Sequence, residues 1–329
     1  TPPQSFHELL FQSYYANNQE IILSKSYDAC LGKGNNLSRQ IGVGETPLGV
    51  SKDCIDDYLC AETGLPVTLC NCPGHTTHTG LLAELNNRDP RLLQTVSTPE
   101  ARAHTSYLKG HPANIANIVN TGAGGSSSTG YSIAKFYNAA EHLAAHHQGT
   151  LDAPVFRFGE ILLIRAEAAA ELGTISQTDL DATVNKLRER VGFNHKLTMS
   201  PAVDPKLEAE YPNVSANNAT LIREIRRERR VELFGEGYRF DDLRRWACGK
   251  RLDASVAPRM GMIPDAKLYS AENITAMQNV LGTNSKGELD IYSKRVDTQA
   301  RFEDPKNYLF AIPTNEISIN PNLTQNTGW

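Results

Sequence analysis

No uninterrupted apolar run in this sequence reaches the length needed to cross a bilayer, and no segment reads as a signal peptide. The signatures of common catalytic machinery are missing as well. There is no P-loop, no His-Glu-x-x-His helix, no Gly-x-Gly-x-x-Gly turn and no Gly-x-Ser-x-Gly elbow, since the run GGSSSTG has the wrong spacing. A glycan-degrading enzyme stays open, because its two carboxylates need only meet in space. Tryptophan is scarce, with only Trp246 and Trp329, so an aromatic platform on this chain has to be built from tyrosine. An excess of positive charge is lacking too. The net charge is −4 and the pI about 6.1, which is not the footprint of a protein that binds nucleic-acid phosphates.

What is present is an ordinary globular composition: 329 residues, 40% hydrophobic and 21% charged, enough for one large core or two modest ones. Five of the six cysteines crowd into the first quarter, at Cys30, Cys54, Cys60, Cys70 and Cys72, with Cys248 far away. Cys70, Cys72, His75 and His78 are chemically competent ligands for zinc, although their spacing matches no standard finger. Cys70 and Cys72 are too close in sequence to bridge each other comfortably, whereas Cys54 or Cys60 can pair with either in an oxidising compartment. Disulfide, free thiols and metal all remain open at this point. The pair His142 and His146 reads as a solvated helix face.

Along the chain, Phe6 to Tyr15 reads as a helix end, Ala16 to Gln19 as a turn and Glu20 to Ser24 as a short strand. Residues 25–50, rich in glycine, asparagine and serine, read as one long loop. A short helix follows Ser51, and Asp89 and Pro90 start another. Residues 104–130 are loop-like. Pro154 to Gly173 is the strongest helix pattern, with proline near its start and glycine closing it. Thr178 and Asp181 give a box-like start to a second helix that keeps its apolar stripe to Val191 and stops at Gly192. A polar linker spans 200–217, and 258–287 has little pattern.

The most informative stretch is Leu221 to Trp246, LIREIRRERRVELFGEGYRFDDLRRW. Its apolar positions define two helices interrupted by Gly235 and Gly237, an αα-hairpin or a sharply kinked pair. The stripe of the first helix passes over Glu228, Arg229 and Glu232, so some charges must approach the core, where they persist only when paired. A structural ion-pair network is expected there, with Arg229, Arg239 and Arg244 as the partners in reach.

The same run resembles the signature of the SusD/RagB family, an ER-x-x-EL helix followed by a G-x-R-x-x-DLRRW helix. Four further stretches match that family in order: Thr129 to Phe136 (TGY-x-x-x-KF); Arg157, Glu160, Leu162, Leu163, Ala166, Glu167 and Ala168; Val184 to Gly192; and the ending from Pro313 through Glu316, Asn320, Pro321, Leu323, Gln325 and Asn326. Ser51, Asp57, Tyr58, Gly64 and Pro66 match more loosely, and Cys70 to His78 replaces what is a plain turn in the family. The resemblance implies a mostly α fold of tetratricopeptide-like helical hairpins with long loops and a few short strands, part of a SusD-like α/α superhelix. It also implies that residues 1–329 are a single domain, the carboxy-terminal region of the family, with its amino-terminal portion absent from this chain.

The function implied is that of a surface-exposed, lipid-anchored protein of the Bacteroidetes outer membrane, with the anchor outside this chain. Such a protein captures oligosaccharides or peptides and passes them to a TonB-dependent, SusC-like transporter. No catalysis, no cofactor, no metal and no nucleic-acid partner is expected, and the alternatives are a glycan-degrading enzyme or a purely structural scaffold. Sugar sites pair an aromatic face with amide, carboxylate or guanidinium groups on exposed loops. The loop after Glu20 to Ser24 supplies these groups in Tyr27, Asp28, Asn35, Asn36 and Arg39, and in the family this region forms part of the site.

Overall fold

The computed structural model describes residues 10, 15, 18–43, 49–72, 80–97, 127–138, 141, 144–214, 217–295, 297 and 299–329. Most of the segment expected to close a helix over Phe6 to Tyr15, and most of the loop expected over 104–130, lie outside them.

The amino-terminal elements are β1 (Ile21–Lys25) and four short helices, α1 (Leu37–Val43), α2 (Lys52–Ile55), α3 (Leu81–Leu85) and α4 (Arg91–Thr95). Helix α1 sits inside the expected loop, preceded by one turn of 3-10 helix at Ala29–Leu31. Helix α4 begins where Asp89 accepts the backbone N–H of Arg91, with Pro90 just before it, as the sequence indicates. The stretch Thr129 to Phe136 makes isolated bridges from Ser132 to Gly49 and from Ile133 to Val96 rather than a strand.

Strand β2 (Ala153–Arg157) pairs antiparallel with β1, Ile21 opposite Arg157 and Lys25 opposite Ala153, and this is the only sheet among the described residues. Pro154 therefore opens a strand, and the helix expected from it, α5 (Phe158–Glu171), starts four residues later. The second helix expected is two: α6 (Gln177–Ala182) and α7 (Val184–Arg190). They part at Thr183, whose φ of −126° and ψ of −95° leave the helical region. The capping box lies two residues earlier than the spacing suggests, on Ser176 and Asp179. Gly173 and Gly192 close the pair at φ of 70° and 75°, the left-handed conformation glycine adopts without strain.

Helix α8 (Pro205–Glu210) occupies the expected linker, capped by Asp204 with proline at its first turn. The two helices of that stretch follow as α9 (Ala219–Glu232) and α10 (Arg239–Arg245), with Gly235 and Gly237 between them at φ of 76° and 95°; α9 packs along α5 rather than along α10, so the pair is kinked and not a packed hairpin. Helix α11 (Ala271–Leu281), capped by Ser270, lies in the segment without pattern, and α12 (Thr314–Ile319) is near the carboxy terminus. No described helix is long and apolar enough to cross a membrane.

Two large apolar clusters form the interior. The first joins Leu163, Ala166 and Ala170 of α5 to Leu180, Val184 and Leu187, to Leu221, Ile222 and Ile225 of α9, and to Leu243 and Trp246. The second gathers Ile55, Tyr58, Leu81, Leu92, Tyr131, Met262, Met277 and Leu289 around Val231. Helix α9 thus borders both. Opposite its core face, α5 turns Phe158, Ile161 and Ile164 to solvent, beside the exposed Ile22, Leu23, Val155 and Phe156 of the sheet.

Candidate functional site

The charged stripe of α9 is buried, as its position on the helix requires, but its partners come from elsewhere in the chain. Glu228 accepts from Arg91 of α4 and from Arg188 of α7 at 2.9 Å. Glu232 is fully enclosed and accepts from Arg157 at 2.8 Å, Arg190 at 2.9 and 3.0 Å and Arg91 at 3.1 Å. Arg229 is held by Asp242 at 2.8 and 2.9 Å; Arg239 bonds the Tyr211 hydroxyl, and Arg244 the carbonyl of Tyr308. Of the three arginines expected to reach the glutamates, none does, because α9 turns those glutamates toward α4, α7 and the end of β2. Burial pushes the Glu232 carboxyl up, and Arg190, Arg157 and Arg91 more than reverse it, leaving it well below the ordinary value.

The Gly235-Glu236-Gly237 break is the hub of the molecule's concave surface. Glu236 turns inward and is clamped by Arg157 at 2.7 and 2.8 Å and by the Lys135 ammonium at 2.7 Å. Lys135 is fully buried, and burial lowers its pKa to about 8 despite Glu236. The two glycines line two cavities, and Glu236 lines the smaller of them. A cleft of about 670 Å³ includes Tyr238, Phe240, Tyr292 and the arginines Arg229, Arg239 and Arg259 in its wall. A smaller one of about 380 Å³ is walled by Tyr27, Asn35, Leu37, Phe136, Asp152 and Pro154. A Cβ on Gly235 would approach the Phe136 ring to 3.2 Å, on a backbone that already disfavours side chains.

Tyr27 and Asn35, expected on the loop after β1, both line the smaller cavity. The Tyr27 backbone N–H donates to Asp152 at 3.1 Å and the Ser26 hydroxyl at 3.0 Å, so one buried aspartate pins the base of the loop. The Lys25 ammonium lies 5.6 Å from the Tyr27 ring centre. Asn35 donates its side-chain amide to the carbonyl of Leu151 at 3.0 Å and accepts the Leu37 N–H at 3.1 Å. Asp28, Asn36 and Arg39 are not among the described lining residues. Asp28 caps the 3-10 turn through the N–H of Cys30, Asn36 accepts the N–H of His147, and Arg39 donates to the carbonyl of Ala144 at 2.9 Å. The sequence reading missed Phe136, Asp152 and the arginine-bearing cleft. The Gly-Glu-Gly break was the available signal, since two left-handed glycines around one acid leave space on both sides.

In the larger cleft, most arginines are already paired: Arg229 with Asp242, Arg230 with Asp53 and Asp57, Arg251 with Asp53 and Glu210. Arg239 and Arg259 differ. Arg259 donates only to the carbonyls of Arg251 and Ala257, and neither guanidinium has a carboxylate in ion-pair range among the described residues.

The cysteines separate into different environments. Cys54 belongs to the second core, Cys248 to the first, and Cys30 is exposed. Cys60, Cys70 and Cys72 converge, their sulfurs within 4.8 Å of one another. Of the two partners weighed for Cys70 and Cys72, Cys60 is therefore the neighbour and Cys54 is not. His75, His78 and His142 lie outside the described residues.

The architecture is one of short helices and helical hairpins around a central charged helix, with one two-stranded sheet among the described residues. The SusD family model matches residues 7–329, and the chain belongs to that family. Among solved structures, a SusD-like carbohydrate binding protein from Bacteroides fragilis superposes with a TM-score of 0.65 at 20% identity, covering 97% of this chain and 60% of its own. A second SusD-like protein from Bacteroides fragilis gives 0.61 at 20% identity, covering 99% and 57%. The chain thus spans a little over half the length of the structures it resembles. No curated protein matches the sequence.

Proposed function

We propose that this chain is a glycan-capture protein of the outer-membrane surface, which binds oligosaccharides and passes them to a TonB-dependent, SusC-like transporter. Lipid anchoring and a Bacteroidetes source belong to the same reading. Family membership across residues 7–329 is the observation that carries it, and the carbohydrate-binding relative from Bacteroides fragilis supports the choice of ligand. A peptide ligand is the second form of the proposal, supported by the apolar side of the smaller cavity, Leu10, Leu37, Phe136 and Pro154.

The site of this proposal is the concave surface around the Gly-Glu-Gly break. Tyr27 supplies an aromatic face on a backbone anchored by Asp152, and Asn35 keeps one amide proton beyond its bonds to Leu151 and Leu37. Across the break, Arg239 and Arg259 offer planar donors suited to hydroxyl or carboxylate oxygens. The acids lining that cleft, Asp53 and Asp242, are locked between arginines. Burial pushes the Asp53 carboxyl up, and Arg230 and Lys206 more than reverse it, so Asp53 stays charged, which suits structure and not proton donation to a glycosidic oxygen.

Titration of the chain with a panel of neutral and acidic oligosaccharides by calorimetry tests the proposal, with reducing-end release followed in parallel. The expected outcome is reversible binding without release of reducing ends, weakened at least about tenfold in Tyr27→Ala. Wild-type affinity in Tyr27→Ala and Arg39→Ala together would remove the β1 loop from the site, and release of reducing ends would replace capture with hydrolysis.

A further inference from the structure

We propose that Cys60, Cys70 and Cys72 form a thiolate site for one soft divalent cation of zinc's class, separate from the glycan groove. Two consecutive turns build it. The first closes from Cys60 to Leu65 through paired backbone bonds of 2.9 Å, with Gly64 at φ of 70°. The second closes over Pro66, whose carbonyl accepts the N–H groups of Leu69 and Cys70 at 2.9 Å. Together they bring three sulfurs to one point, with side chains 0%, 4% and 7% exposed. The three form a cluster of their own, touched only by Leu65 among partly buried apolar residues, so they serve neither main core as packing.

The separation of the sulfurs favours an ion over a bond between them. Cys60 and Cys72 stand 3.7 Å apart, whereas a disulfide requires about 2.05 Å. Two sulfurs at about 2.3 Å from a shared tetrahedral ion lie roughly 3.8 Å apart. Backbone donors already face the sulfurs: the Glu62 N–H at 3.4 Å from Cys60 Sγ and the Cys72 N–H at 3.3 Å from Cys70 Sγ. Such bonds orient the sulfurs, the role of an outer shell around a metal. Charge balance agrees. Arg88, which faces Cys60 across an antiparallel bridge, is buried and bonds only the carbonyls of Ile55, Tyr58 and Glu84, with no carboxylate in ion-pair range among the described residues. Three thiolates around a dication carry one net negative charge, which would add to the favourable field that Asp56 and Glu84 already exert on Arg88. Loading releases the thiol protons, so affinity rises with pH.

The test uses the full chain, incubated with zinc chloride under reducing conditions and desalted. Elemental analysis should find about one zinc per chain, with Cys60, Cys70 and Cys72 protected from iodoacetamide until a chelator is added. Cys60→Ser and Cys72→Ser should each lose the zinc, while Cys30→Ser, at an exposed position, keeps it. Should the buried variants fail to fold, cobalt(II) substitution of the wild-type chain decides. A thiolate-to-metal charge-transfer band with intense tetrahedral d–d absorption supports the site, and an octahedral aquo spectrum overturns it. Two further results would also overturn it: no zinc retained by the folded wild type, or a Cys60–Cys72 disulfide in peptide maps of protein isolated from the cell without reductant.

Discussion

Glu232→Ala is the sharpest probe of how this fold is held. The carboxylate is completely buried and shared by Arg91, Arg157 and Arg190. After its removal Arg157 keeps Glu236 and Glu20, and Arg91 keeps Asp89 and Glu228. Arg190 keeps Glu20 at 4.0 Å. Breaking one member of a buried network costs about 3–5 kcal/mol, because the partner charges lose compensation they cannot recover from water. For 329 residues, an unfolding entropy of roughly 2.1 cal/mol/K per residue converts this into a fall in melting temperature of about 4–7 °C. Scanning calorimetry of the variant beside Glu189→Ala reads the effect; Glu189 sits in the exposed Lys186 pair, worth about 0–1 kcal/mol. Oligosaccharide affinity should stay at the wild-type value. A melting temperature within about 1 °C of the parent, or a loss equal to that of the Glu189 control, would refute the reasoning.

Two other perturbations read different parts of the structure. Leu163→Ala, at a completely buried position on α5, should cost about 2–5 kcal/mol, whereas Ile164→Ala on the exposed face of the same helix should change stability by less than about 0.5 kcal/mol; urea midpoints separate them. Acid should unfold the chain early. Asp53, Asp57, Glu232 and Glu236 all have lowered folded-state pKa values, because neighbouring arginines and lysines outweigh their burial. The unfolded chain therefore binds more protons as pH falls, and the stability these groups contribute is full above about pH 5 and is lost below it. Glu84 and Glu224, raised by burial, act in the opposite sense but are fewer. A urea midpoint unchanged between pH 6 and pH 4 would show that the paired acids do not dominate.

What could be read from the sequence depended on how local the cause was. The α9–α10 pair was legible because its stripe, its glycines and its closing tryptophan sit within one short run. The strand character of Ala153–Arg157 was not, because its partner β1 lies far earlier in the chain and Pro154 is equally at home at a helix start. Helix α11 buries only Met277 and Leu281, too sparse a stripe to register, and α8 has six residues. The split at Thr183 was hidden because α6 and α7 continue one stripe across it, Leu180, Val184 and Leu187 all being buried. Around the smaller cavity, Tyr27 and Asn35 were singled out by chemistry and loop position. Asp152 was not, since nothing local distinguishes an acid that will pin a distant loop.

The residues that make the family recognisable are the ones least able to report its ligand. Glu228 and Glu232 join α4 to α7 and the end of β2, and Asp242 holds α10 to α9 through Arg229. The Trp246 indole N–H donates to Glu167 of α5, and the Arg226 guanidinium stacks 4.7 Å from its ring centre. Each is buried inside the protein. Because α9 runs along both apolar clusters, its charges sit where the two meet, and fixed arginine–carboxylate geometry sets how one cluster registers on the other. A run under that constraint is hard to vary whatever the protein captures. In the proposed site, ligand choice would fall to groups outside the network, such as Tyr27 on its anchored loop and Arg239 and Arg259 in the cleft, whose substitution should alter affinity while leaving the melting temperature nearly untouched.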